Sequence, residues 1–190
     1  MSKAVLISIR PKWCEKIVNG EKTIEVRKTK PKLETPFKCY IYCTLPKYPH
    51  EDFIATNYPM PQFYGGGKVI GEFTCARIYK IDKDSTDFLF KFGRLSVYKQ
   101  AAEEKCGLCM AMTDDELHGY LGHCQGYGWH ISDLRIYDTP KELSEFKTLC
   151  RVDADCCACP YYNYTKMGCD GRVIGRPPQS WCYVDDVQAK

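Results

Sequence analysis

Nowhere in these 190 residues is there an uninterrupted apolar run of about 18, the least a membrane-spanning helix needs. The aliphatic stretch at residues 4–9 is strand-sized and broken by Arg10 and Pro11, so it does not read as a secretory leader. Internal repeats and low-complexity tracts are missing, which argues against a repeat architecture. Histidine is scarce, at 4 residues, and an even cysteine count is lacking: 13 thiols cannot all be paired. These absences predict a cytoplasmic protein of a reducing compartment, where clustered cysteines mean metal or redox chemistry more often than structural bridges.

What is present supports a folded domain. Hydrophobic residues make up 44% of the chain and aromatics 13%, enough to bury a core without disulfides. The formal charge of +3 is unevenly spread: residues 1–48 hold 11 Lys or Arg against 4 acidic groups, leaving 16 against 20 for the remainder. A basic N-terminal third suits either a phosphate-bearing partner or a solvated lysine-rich face.

Residues 4–9 read as a buried strand. Pro11 suits the first turn of a helix that Asn19-Gly20 stops. Residues 23–27 alternate, with Ile24 and Val26 on one face and Thr23, Glu25 and Arg27 on the other. Residues 37–44, 68–81, 128–137 and 181–184 are further strand candidates, with Gly71 marking a bulge or close approach. Residues 45–67 read as a long structureless segment, of the kind that more often serves as a lid or insertion than as filler. Thr113 and Glu116 form a capping box for a helix ended by Gly122. Strands outnumber helices, so the expected class is α+β: a small mixed β-barrel, closed or half-closed, carrying a few helices.

Gly20, Lys22, Glu25 and Arg27 form G-x-K-x-x-E-x-R, after a strand ending in Ser8-Ile9-Arg10-Pro11 and a short helix. This arrangement resembles the ASCH domain family of the PUA-like superfamily, over roughly residues 3–148 plus the closing strand. Gly126-Tyr127-Gly128-Trp129-His130 and Pro177-Pro178-Gln179-Ser180-Trp181 look like segments of the single-domain ASCH proteins of bacteria and phages. The resemblance implies a PUA-like barrel with a cleft beside the motif, used in that superfamily for RNA or modified nucleobases. Some small ASCH proteins are amidohydrolases acting on acetylated cytidine, and others are ribonucleases. In the amidohydrolase type a threonine nucleophile stands two residues before the arginine; here that position is Glu25.

The residues themselves fit a binding cleft. Lys22 and Arg27 suit phosphate or base acceptor atoms, and Glu25 can accept from an exocyclic amine. If there is turnover, Lys22 and Glu25 are the catalytic candidates, Glu25 as general base. Trp13, Trp129 and Trp181 are candidates to stack a base and His130 to stack or hydrogen-bond, against the simpler reading that a barrel tryptophan belongs to the core. The expected function is thus binding of RNA or a modified nucleotide, with a hydrolase acting on a nucleoside amide or on RNA as the alternative.

Residues 149–175 read as an insertion between barrel segments 1–148 and 176–190. Cys150, Cys156, Cys159 and Cys169 have the spacing of a structural zinc site, with Cys157 or Cys182 as substitute ligands and an iron–sulfur cluster as the less favoured metal. No histidine falls in this segment, and the H-x-E…P-C-x-x-C signature of nucleobase deaminases is missing, so zinc would hold shape rather than activate water. Cys106, Cys109, His123 and Cys124 allow a weaker second site.

Overall fold

The run at residues 4–9 forms strand β1 (Lys3–Ile9), and it is apolar at every position but Ser8 because both of its faces are covered. Val5, Ile7 and Ile9 enter one core cluster; Ala4 and Leu6 enter a second on the opposite side. A strand with one wet face would alternate instead. The computed structural model describes residues 3–48, 53–55, 62–81, 110–122, 124–148, 162–163, 168–169 and 171–186.

After β1 comes helix α1 (Pro11–Val18), with proline in its first turn, Cys14 and Ile17 buried, and Gly20 at φ +73° beyond its end. Strands β2 (Ile24–Arg27), β3 (Phe37–Cys43), β4 (Phe53–Ala55), β5 (Gln62–Tyr64) and β6 (Val69–Ile81) follow. Helix α2 (Asp114–Leu121) carries both hydrogen bonds of the capping box between Thr113 and Glu116. Beyond it lie β7 (Gly126–Lys141), a short 3-10 turn, β8 (Lys147–Thr148), β9 (Tyr162–Asn163), β10 (Gly168–Cys169), β11 (Arg172–Val173) and β12 (Trp181–Asp185).

Eight strands form one mixed sheet in the order β11-β8-β12-β1-β3-β6-β7-β2, with β1 and β3 parallel. Its edge at β2 curls back toward β1 and β12 through side chains. Arg27 Nη2 donates to the Ser8 carbonyl at 2.6 Å, the Trp181 indole to Thr29 Oγ1 at 3.0 Å, and Lys32 N to the Tyr183 hydroxyl at 2.7 Å. The barrel is therefore half-closed, its seam clasped by side chains rather than by a backbone ladder. Gly71 is a close-approach point, since a Cβ there would lie 2.5 Å from the Arg135 carbonyl, and the β6–β7 register shifts beside it.

Two expectations change. Within residues 45–67, β4 and β5 pair antiparallel, and Ile54 is fully buried in the main core; an apolar anchor there gives the segment regular structure. At the end of residues 149–175, β11 pairs with β8 and Ile174 enters the second core cluster, while β9 and β10 pair with each other in a separate two-stranded sheet.

Candidate ligand-binding cleft

The period of two in β2 sets up the site. Ile24 and Val26 pack with Met110, Leu117 and Leu121 under α2, which turns Glu25 and Arg27 toward the barrel mouth. The neighbouring β7 accommodates this packing through Gly128, where a Cβ would stand 2.9 Å from the Ile24 side chain. Lys22, just before the strand, joins them.

All three charged side chains are buried, with 1%, 7% and 8% of the Lys22, Glu25 and Arg27 side chains exposed. Lys22 Nζ donates to the Met110 carbonyl at 2.6 Å and lies 3.6 Å from Glu25 Oε2. Glu25 Oε1 meets Arg27 Nη2 at 2.9 Å, while Arg27 Nη1 lies a long 3.5 Å from Ser180 Oγ. One carboxylate thus stands between two cations. Among the described residues, Glu25 Oε2 and Arg27 Nε have no hydrogen-bond partner. Buried polar atoms are rarely left so, because an unmade hydrogen bond costs about 1–3 kcal/mol.

Lys22, Glu25 and Arg27 line a cleft of about 520 Å³, within the usual range of small-molecule sites. Ser8, Ile9, Arg10, Lys12 and Trp13 form one wall, Met112, Glu116, Gly119 and Tyr120 another, and Thr44, Gln179 and Ser180 complete it. The Trp13 ring has Lys12 Nζ 4.4 Å and Lys22 Nζ 5.0 Å from its centroid. An ion pair between Lys12 and Glu116 links α1 to α2 beside the cleft. The Lys12 hydrogen bond, followed by the Thr113 backbone N–H, holds the Glu116 carboxyl below the ordinary carboxylate range.

Lys22, Glu25 and Arg27 are therefore brought together, and Trp13 joins them. The other aromatic candidates lie elsewhere. Trp129 is fully buried in the main core, edge-on to Phe37 at 5.8 Å, because its side of β7 faces the barrel interior with Ile131. Trp181 packs over Trp129 and is tied to Thr29. His130 sits half-buried near Tyr79, its backbone opposite Ile24, and does not line the cleft. The α2 wall carries a signal in the sequence itself: Glu116, Gly119 and Tyr120 stand at i, i+3 and i+4, one face of the capped helix.

Cys14, Cys39, Cys43 and Cys75 are free and fully buried. Burial pushes the Cys14 and Cys39 thiols well up and that of Cys75 up to about 12. Cys182 lies half-buried on β12, its thiol pushed up to about 11 by burial. Of the predicted zinc ligands, Cys150, Cys156 and Cys159, with Cys157, lie outside the described residues; Cys169 is placed by its backbone, opposite Tyr162. Cys106, Cys109 and His123 also lie outside them, and Cys124 is exposed. Among the described residues, no helix is long and apolar enough to cross a membrane.

This is an α+β half-closed barrel with a charged, partly unsatisfied cleft at its mouth. No family model matches the sequence, and no curated protein matches it. Solved structures do. The chain is similar to one single-substitution variant of an ASCH protein from Zymomonas mobilis, at 18% identity, covering 96% of this chain and 90% of that one, with a TM-score of 0.51. A second variant of that protein matches at 18% identity, covering 95% and 87%, with a TM-score of 0.50. The chain has the ASCH fold.

Proposed function

We propose that the cleft binds RNA or a nucleotide, modified or not, through a base that bears an exocyclic amine. The observation that carries this reading is Glu25 Oε2, a buried carboxylate oxygen without a hydrogen-bond partner among the described residues, between two buried cations in a cleft of about 520 Å³. Such an oxygen suits an amine donor, as on cytosine or adenine, while Arg27 offers Nε to a base acceptor. Trp13 and Tyr120 supply aromatic surface beside it.

The test is binding of a panel of nucleosides, nucleotides and short RNAs by the wild type, Lys22→Ala and Arg27→Ala. Folded variants that bind as well as the wild type would remove the cleft from the account. A second reading, hydrolysis of a nucleoside amide or of RNA, draws on the same oxygen, ion-paired with Lys22 but without a hydrogen bond among the described residues, as a base toward water or a ribose hydroxyl. Product formation from acetylated cytidine or RNA that disappears in Glu25→Gln supports it; turnover equal in the two proteins eliminates it. For the cysteine-rich segment the proposal stays a structural zinc held by Cys150, Cys156, Cys159 and Cys169.

A further inference from the structure

The rim of the barrel mouth continues past the cleft. Parallel pairing sets the end of β3 beside the end of β1, where Thr44 N donates to the Ile9 carbonyl at 2.8 Å, and both residues line the cleft. The turn at residues 65–67 is bound to the other side of β3: Gly67 N donates to the Cys43 carbonyl and Cys43 N to that of Lys68, both at 2.9 Å. Neighbouring strands stand about 5 Å apart, so this turn is the next step along the rim from Thr44. Three of the four large apolar or aromatic side chains exposed among the described residues fall here: Leu45 at 70%, Tyr48 at 48% and Tyr64 at 71%. The hairpin register explains Tyr64. Ile54, opposite Phe63, is fully buried in the main core, and Tyr64 comes one position later, so its side chain is turned to solvent. Gly67, at φ +80°, lets Leu45 lie against bare backbone, since a Cβ there would stand 3.1 Å from Leu45 Cδ2. Scattered singly, such side chains need no explanation; gathered on the rim of a cleft, they mark a contact surface. Its surroundings are basic. Lys47 Nζ stands 5.3 Å from the Tyr48 ring centroid, and Arg10, Lys12 and Lys68 share the rim with Glu116 and Glu142, which pair with Lys12 and Lys68.

From this arrangement we infer that Leu45, Tyr48 and Tyr64 form a stacking shelf for the bases that neighbour the one in the cleft, so that the ligand is a single-stranded nucleic acid and not a free nucleotide. The inference rests on the base-binding reading above and deepens it. A free nucleotide fills the cleft and leaves the shelf unused. A strand that leaves the cleft past Thr44 lays its next bases on apolar and aromatic surface, with cations beside its phosphates. A protein partner would meet the same apolar surface, but the basic rim favours a polyanion.

Calorimetric titration of the full chain compares cytidine and adenosine 5′-monophosphates with cytidine and adenosine oligomers of about two to six nucleotides, of RNA and of DNA. In the wild type, affinity rises from monophosphate to oligomer by about 5- to 150-fold, the worth of stacking one base. A gain with either sugar supports the shelf, and the larger gain names the sugar preferred. Tyr64→Ala removes most of the gain, whereas Tyr64→Phe, which keeps the ring and drops the hydroxyl, retains it. Both variants bind the monophosphates as the wild type does, because Tyr64 lies outside the cleft. Monophosphates and oligomers that bind the wild type alike, or a gain that survives both Tyr64→Ala and Leu45→Ser, overturn the shelf and leave the base-binding reading standing. If neither monophosphates nor oligomers bind, the base-binding reading fails, and the shelf with it.

Discussion

Replacing Glu25 by alanine leaves two cations facing each other with almost no water around them. The Lys22 and Arg27 side chains are 1% and 8% exposed, and Glu25 is the carboxylate that both approach, at 3.6 and 2.9 Å. Removing one partner of a buried ion pair costs about 3–5 kcal/mol, because the remaining charge cannot be rehydrated without opening the fold. Against a total stability of about 5–15 kcal/mol for a domain, this is a large share. With an m-value of about 2 kcal/mol/M in urea, the unfolding midpoint of Glu25→Ala falls by about 1.5–2.5 M. The triple variant Lys22→Met, Glu25→Leu, Arg27→Met makes the complementary point. Apolar replacement of a whole buried ionic group is often neutral or stabilising, so the triple regains most of the loss. It stops short of the wild type because the Ser8 and Met110 carbonyls each lose a donor. Yet it binds no nucleotide. Urea denaturation followed by tryptophan fluorescence reads both variants. A midpoint shift under about 0.3 M for Glu25→Ala would show that the carboxylate does not compensate the cations, and a triple less stable than the single variant would refute the trade between stability and binding.

Gly71→Ala places a Cβ 2.5 Å from the Arg135 carbonyl, so the β6–β7 ladder must shift; a loss of about 1–3 kcal/mol in the same denaturation assay is expected, and a neutral variant contradicts it. Trp13→Ala and Trp129→Ala separate cleft from core. The first weakens nucleotide binding by about 1–3 kcal/mol. The second costs about 3–5 kcal/mol of stability, and binding by its folded fraction is unchanged. In the native protein, alkylation at pH 8 passes over Cys14, Cys39 and Cys75, because burial holds them as neutral thiols; at a pKa of about 12, Cys75 is thiolate in only about one molecule in ten thousand. Rapid labelling of these positions, read by mass spectrometry, contradicts their placement. Elemental analysis of freshly reduced protein yields about one zinc per chain, lost in Cys156→Ser and Cys159→Ser, and metal-free protein ends the zinc proposal.

The central part of the cleft was legible because it is local. Lys22, Glu25 and Arg27 fall within six residues, and the period of two in a strand decides which of them share a face. The α2 capping box and the constraint at Gly71 are local in the same sense. Trp129 was ambiguous for a physical reason: both faces of β7 are covered near Gly128, so alternation there does not say which side is the core. The approach of Glu116 to Lys12 joins positions 104 residues apart, and no spacing rule anticipates it. Ile54 likewise anchors a segment whose proline and glycine content reads as loop.

The clasp of the barrel has a consequence for what a ligand does. Arg27, whose guanidinium holds β2 to β1 through the Ser8 carbonyl, also lines the cleft. Occupancy and closure are therefore linked through one side chain. Under the binding reading proposed above, a ligand that engaged Arg27 would tighten the seam, and local opening of the seam would release it. On that reading, amide exchange along β2 is expected to slow when the cleft is occupied.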